Sequence, residues 1–194
     1  MSEQKTKFII TKATICDTGV LFKLENECFD KFNSPLSKAS FYYHIKRNFL
    51  YVARAGCDVK KDNFCKLNFK NSAEISLIKE KENWANLKYN FIKNSLICGE
   101  FGKILGYILI LPKLKTSRIY SLAVLPNARG LGVAKALLEF GISRFNSLKL
   151  EVRTDNTKAI NLYEKLGFKS IKTLPKYYDD GCDAFLMVKS EQIL

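Results

Sequence analysis

Apolar and polar positions divide the chain into short elements of changing period. Residues 6–12, TKFIITK, are rich in β-branched side chains and hold no Gly or Pro, which predicts a first strand. Asp17 precedes Val20, Leu21, Leu24 and Cys28, apolar at helical spacing, and reads as the cap of a first helix. Phe29 to Ser37, with Asn33, Ser34 and Pro35, breaks that period as a loop, and Ser37 starts a second helix through about Arg47. FLYVARA, 49–55, predicts a strand. Residues 56–94 then lose periodicity and turn rich in Lys and Asn. They read as an insertion with some secondary structure of its own, because a structureless loop of ~40 residues is foreign to a compact domain.

Order returns with SLICGEF, the turn Gly102 and Lys103, and ILGYILIL, a pattern that predicts a β-hairpin. IYSLAVL, 119–125, adds a third antiparallel strand that Pro126 ends. Residues 132–146 carry Val133, Ala136, Leu137, Phe140, Ile142 and Phe145 and predict a helix with a broad apolar face. Leu148 to Val152 is a strand, and Thr157 to Leu166 a helix closed by Gly167. Phe168 to Thr173 and Ala184 to Val188 are the last strands. A meander followed by alternating strands and helices predicts an α/β fold, a mixed and mostly antiparallel central sheet with helices on both sides.

The length, 194 residues, suits one domain spanning 1–194. No window approaches the ~18 apolar residues of a membrane span, and the opening MSEQKTKFII lacks the apolar stretch of a secretory signal. A cytoplasmic protein with no membrane partner is expected. The six cysteines include no CxxC pair and the chain has one histidine, so no metal site is expected and the thiols read as small apolar side chains. A nucleophilic Cys-His pair would have to use His44, which sits in FYYHIKRNF on a helix face.

The net charge of +13 matters through its distribution. Residues 102–176 hold 14 Lys and Arg against 4 Asp and Glu, whereas 177–194 hold one Lys against four acids. Such a field gathers anions, and a phosphorylated cofactor, nucleic acid and an acidic membrane all qualify. The chain has no arginine-rich run and no aromatic-basic interleaving, which argues against direct nucleic-acid binding.

The junction IYSLAVLPNARGLGVAKALLEF carries the chemistry, a strand running through a Gly-containing loop into a helix. First-turn N–H groups and the positive end of the helix dipole suit an anion, Gly130 and Gly132 let it approach the backbone, and Arg129 and Lys135 add charge. The order Arg129, two residues, Gly132, one residue, Ala134 resembles the pyrophosphate signature of the GNAT N-acetyltransferases. A second block, LEVRTDNTKAINLYEKLGF at 150–168, resembles the other diagnostic stretch of that superfamily, at the right distance. The similarity is clearest from Leu96 to Val188 and extends to ribosomal-protein alanine N-acetyltransferases and related Nα-acetyltransferases.

The resemblance implies a GNAT fold, acetyl-CoA as donor with CoA as product, and an amine acceptor attacked in a ternary complex. It implies that Arg129, Gly130, Leu131, Gly132, Val133, Ala134 and Lys135 hold the pyrophosphate, while Leu122, Ala123 and Val124 offer backbone groups to the pantetheine arm. Glu151 matches the family's general base, acting directly or through water; read alone it is equally a strand residue paired with Arg153 or Lys149. Tyr163, seven residues after Asn156, matches the acid that protonates the CoA sulfur, although an aromatic at helical spacing also suits a core. Asn156 matches a contact to the CoA arm and is also a natural N-cap.

For the acceptor, Tyr177 and Tyr178 resemble the peptide-gripping loop of Nα-acetyltransferases, with Phe29, Phe32 and Pro35 as the opposite wall. Asp179, Asp180 and Asp183 place negative charge beside that mouth. The favoured acceptor is a protein N-terminus. A small-molecule amine remains the alternative, as does a CoA-binding module without catalysis. The hairpin turn is shorter than in the similar enzymes and 56–94 is inserted, differences that bear on the acceptor more than on the reaction.

Overall fold

The computed structural model describes residues 8–29, 35–55 and 102–190. The insertion expected at 56–94, the run 95–101 and Phe32 lie outside the described residues. Seven strands form one sheet: β1 (Phe8–Lys12), β2 (Phe49–Ala55), β3 (Ile104–Leu111), β4 (Ser117–Val124), β5 (Ser147–Arg153), β6 (Lys169–Leu174) and β7 (Ala184–Ser190). Their spatial order is β1-β2-β3-β4-β5-β7-β6, antiparallel throughout except between β4 and β5. Among the described residues four helices accompany it: α1 (Thr18–Cys28), α2 (Lys38–Arg47), α3 (Val133–Ile142) and α4 (Thr157–Lys165). The expected mixed sheet flanked by helices is the observed one.

β3 is buried along nearly its whole length, so it is covered on both faces. On one face Tyr107 meets Phe41 of α2 edge to face at 5.4 Å and bonds Glu25 of α1. On the other, Gly141 of α3 comes so close to Ile108 and Ile110 that a Cβ there would lie 3.1 Å from the Ile110 side chain. α1 and α2 therefore cover one side and α3 the other.

Among the described residues β3 pairs with β2 and β4, and the hairpin expected of SLICGEF with ILGYILIL lies outside them. Two local expectations are corrected. Asp17 precedes α1 but makes no side-chain cap. Its carboxylate accepts instead from Thr14 N at 2.7 Å and from Arg54 Nη2 at 2.7 Å, a buried cross-link to β2. Val20 faces solvent at 49% exposure, and the buried stripe of α1 runs through Leu21, Leu24 and Glu25. Ser37 caps α2 as expected, its hydroxyl accepting from Ser40 N at 3.1 Å. No described helix is long and apolar enough to cross a membrane.

Candidate active site

The sheet opens where β4 meets β5. The two run parallel, yet only Ser117 with Leu148 and Arg118 with Lys149 are in register. Beyond Arg118 the strands part, and Tyr120 is an extra residue on β4, skipped in the pairing with β3 between Ile119 and Ser121. Such a bulge bends the strand that carries it. Leu125 N–H bonds Leu105 O at 2.9 Å, so Ala123 also turns its peptide groups to β3, and alternation turns those of Leu122 and Val124 toward the gap. Val124 O is met there by Arg129 Nε at 3.2 Å and Cys28 Sγ at 3.4 Å.

β4 then runs through a 3₁₀ turn at Pro126–Ala128 into the loop before α3. Gly130 and Gly132 have φ of 83° and 81°, a left-handed conformation that favours glycine, and a Cβ on either would point into open space. Ala136 N is the first α3 donor to bond within the helix, to Gly132 O at 3.0 Å, which leaves the N–H groups of Val133, Ala134 and Lys135 outside the helical ladder. Val133 buries its side chain and Leu131 exposes its own. Lys135 reaches Glu139 at 3.7 Å in an exposed pair of little energetic weight.

A cleft of about 520 Å³ sits in the gap between β4 and β5, and it gathers Phe29, Leu122, Glu151, Asn156, Tyr163, Tyr177 and Tyr178. Ala123, Val124, Pro35 and the segment from Arg129 to Lys135 do not line it, although Leu36 beside Pro35 does. Glu151 alternates with buried Leu150 and Val152 on β5 and projects from the opposite face of the strand. Neither Lys149 nor Arg153 is its partner. Arg118 of β4 donates Nε to Glu151 Oε2 at 2.8 Å and Nη2 to the Tyr177 hydroxyl at 2.9 Å. Arg153 pairs with Asp155 at 2.9 Å and Asp180 at 2.8 Å, its guanidinium 4.9 Å from the Tyr178 ring.

Tyr163 is the one buried residue of α4, packed edge to face on Phe168 at 5.8 Å. Burial, with Tyr178 adding to it, pushes its hydroxyl pKa up to about 12, so it holds its proton at neutral pH. Burial and then Tyr177 push Tyr178 up to about 12 as well. Asn156 both lines the cleft and caps α4, its Oδ1 accepting from Ala159 N at 3.2 Å. Of the expected acidic patch, Asp180 is held by Arg153 and Asp183 Oδ1 accepts from Lys176 N at 2.8 Å, while Asp179 lines the mouth.

Sequence reasoning missed two charged cleft residues, Arg118 and Glu25. Arg118 lies one position before the expected start of its strand, and only the β4 and β5 adjacency brings it to Glu151. Glu25 was visible as a carboxylate four residues after Leu21 on an apolar stripe. Its Oε1 accepts from Leu36 N at 2.9 Å and its Oε2 from the Tyr107 hydroxyl, which also meets Ser121 Oγ at 2.7 Å. Burial raises its pKa, against the lowering effect of those two bonds.

A model of the acetyltransferase (GNAT) family matches residues 63–168. The chain belongs to the GNAT acetyltransferase family. Among curated proteins, this GNAT chain is 43% identical to an uncharacterized N-acetyltransferase of Methanocaldococcus jannaschii over 46% of its own length and 62% of that protein's. It is 41% identical to an N-alpha-acetyltransferase of Sulfurisphaera tokodaii over 44% of its own length and 62% of that protein's. The chain thus spans about three fifths of each. Among solved structures, the ribosomal-protein-S18-alanine N-acetyltransferase of Escherichia coli superposes with a TM-score of 0.62 over 97% of this chain and 99% of that one, at 21% identity, a likeness of fold.

Proposed function

We propose that this GNAT chain, acting as one domain, moves the acetyl group of acetyl-CoA to the α-amino group of a protein N-terminus. The observation that carries the reading is the cleft itself. Glu151 and Tyr163 line one space together with Phe29, Leu36, Tyr177 and Tyr178. An apolar and aromatic lining suits an extended polypeptide end. The N-alpha-acetyltransferase name of the Sulfurisphaera relative points the same way. The cytoplasm, where newly made chains and acetyl-CoA meet, is the compartment this reading implies.

The residues fit the donor. The open edge of β4 at Leu122 and Val124 can pair with an amide-bearing arm as a further strand does. Clear space at Gly130 and Gly132, with unpaired N–H groups at the start of α3, suits the pyrophosphate. The bound donor supplies an acyl group on a thiol leaving group. Glu151 takes the proton of the attacking amine, directly or through water, and Tyr163 gives a proton to the departing sulfur. A β4 backbone N–H polarises the acyl carbonyl.

Thiol release from acetyl-CoA, measured against N-terminal peptides, lysine peptides with blocked N-termini, and small amines, tests the proposal. N-terminal peptides should be the better acceptors. Tyr163→Phe should slow turnover with acetyl-CoA affinity nearly unchanged, and Gly132→Glu should abolish that affinity. Turnover confined to small amines would sink the acceptor assignment, and normal acetyl-CoA binding by Gly132→Glu would sink the pyrophosphate placement.

A further inference from the structure

We infer that Arg118 is a specificity-determining residue, one that makes the cleft select amines arriving in the neutral form and so favours α-amines over lysine side chains and polyamines. This rests on the acetyltransferase reading above and on Glu151 as its base.

Arg118 is fixed on three sides by three elements. Its Nε holds Glu151 of β5 at 2.8 Å, its Nη2 holds the Tyr177 hydroxyl of the β6–β7 turn at 2.9 Å, and its guanidinium sits 5.2 Å from the ring of Tyr120 on its own strand. A side chain so anchored does not swing aside freely. Guanidinium stays charged at any working pH. The Arg118 and Glu151 side chains are only 28% and 12% exposed, so water screens the pair weakly.

An amine entering the cleft therefore meets a carboxylate whose charge is already matched. An ammonium group gains little from such a pair and is repelled by the adjacent guanidinium, whereas a neutral amine pays no such penalty. The other charges lining the cleft do not undo this. Glu25 has both oxygens engaged, Arg153 is held by Asp155 and Asp180, and Asp179 stands at the mouth. An α-amine of pKa ~7.7 to 8.0 is roughly 10 to 20% neutral at pH 7, against about 0.04% for a lysine amine near ~10.4. A site that admits the neutral form thus begins with a preference of roughly 300-fold for the α-amine.

The test compares kcat/KM for two peptides of one sequence, one with a free N-terminus and no lysine, the other with a blocked N-terminus and a lysine at the first position. Arg118→Gln should lower the preference for the α-amine about tenfold or more, mainly by improving the lysine peptide, because the unmatched Glu151 carboxylate now attracts ammonium. Arg118→Lys keeps the charge and should hold the preference within about threefold. Arg118→Met, which keeps the aliphatic stem, replaces the Gln variant if that one does not fold. A preference unchanged in the uncharged variant, with both rates falling together, overturns the inference and leaves the acceptor assignment standing. A wild-type enzyme that favours the lysine peptide overturns the α-amine assignment itself and the inference with it.

Discussion

Replacing Glu25 by alanine removes the acceptor for two donors at once. Leu36 N–H, from the segment leading into α2, and the Tyr107 hydroxyl both end on that carboxylate, which belongs to a residue only 2% exposed. The two losses are unequal. Tyr107 keeps Ser121 Oγ at 2.7 Å, so its cost is small, whereas Leu36 is itself buried and its N–H would be stranded. A buried unsatisfied donor costs about 1 to 3 kcal/mol, and the emptied carboxylate volume adds to it, so Glu25→Ala should destabilise by about 2 to 4 kcal/mol. In a chain of this size that is a fall of roughly 4 to 16 °C in melting temperature.

The pH dependence gives the prediction a second edge. Burial raises the Glu25 pKa, so the folded state binds the proton more tightly than the unfolded state, and the wild-type protein loses stability as pH rises from the ordinary carboxyl value through the raised one. The alanine variant lacks that slope. The gap between the two proteins should therefore be wider near pH 4 than at pH 7, read by urea unfolding at both. Because Leu36 lines the cleft, the acceptor KM should also rise while acetyl-CoA affinity holds. A variant that melts within ~1 °C of wild type, against the ~1 kcal/mol minimum for a stranded donor, would refute this account of Glu25.

Other substitutions probe the scaffold behind the cleft. Gly106→Ala would set a Cβ 2.6 Å from Ala123 O, a backbone atom that cannot step aside, and should cost about 1 to 3 kcal/mol in a thermal melt; a neutral effect would count against the close approach of β3 and β4. Asp17→Ala removes the carboxylate that Arg54 Nη2 and Thr14 N share in the buried link between the α1 entrance and β2, and should cost about 1 to 3 kcal/mol in urea unfolding, an expectation that fails if the loss is below ~0.5. Tyr163 keeps its proton up to about 12 when folded against ~10 when unfolded, so its contribution is intact below pH 10 and is lost as pH rises from there through 12. That loss is about 2 to 3 kcal/mol once complete above pH 12 and roughly half of that by pH 11, and Tyr163→Phe should abolish its share, giving a flatter stability profile between pH 9 and 11.

Most of the fold was legible because its elements announce themselves locally. The FLYVARA run, the Ser37 cap and Gly167 beyond α4, with its φ of 87°, each depend on a few neighbouring residues. What failed depended on partners distant in sequence. β3 takes β2 and β4 as its neighbours, a choice no local period encodes. Asp17 has the residue type and place of a cap, and Arg54, 37 positions away, claims its carboxylate.

The same divide runs through the site. Glu151 and Tyr163, matched to motifs, line one cleft, and the motif glycines precede α3. Their partners did not. Glu151 faces Arg118 because β4 and β5 touch at just two residue pairs before parting, which leaves a β4 cation beside the rim of the gap. In the acidic turn after Tyr178, Asp180 binds Arg153 and Asp183 accepts from Lys176 N, so these two carboxylates shape the turn. Tyr177 and Tyr178 line the cleft beside them, as does Asp179. On the reading proposed above, the chemistry of the acceptor then turns on the Arg118 guanidinium held against Glu151.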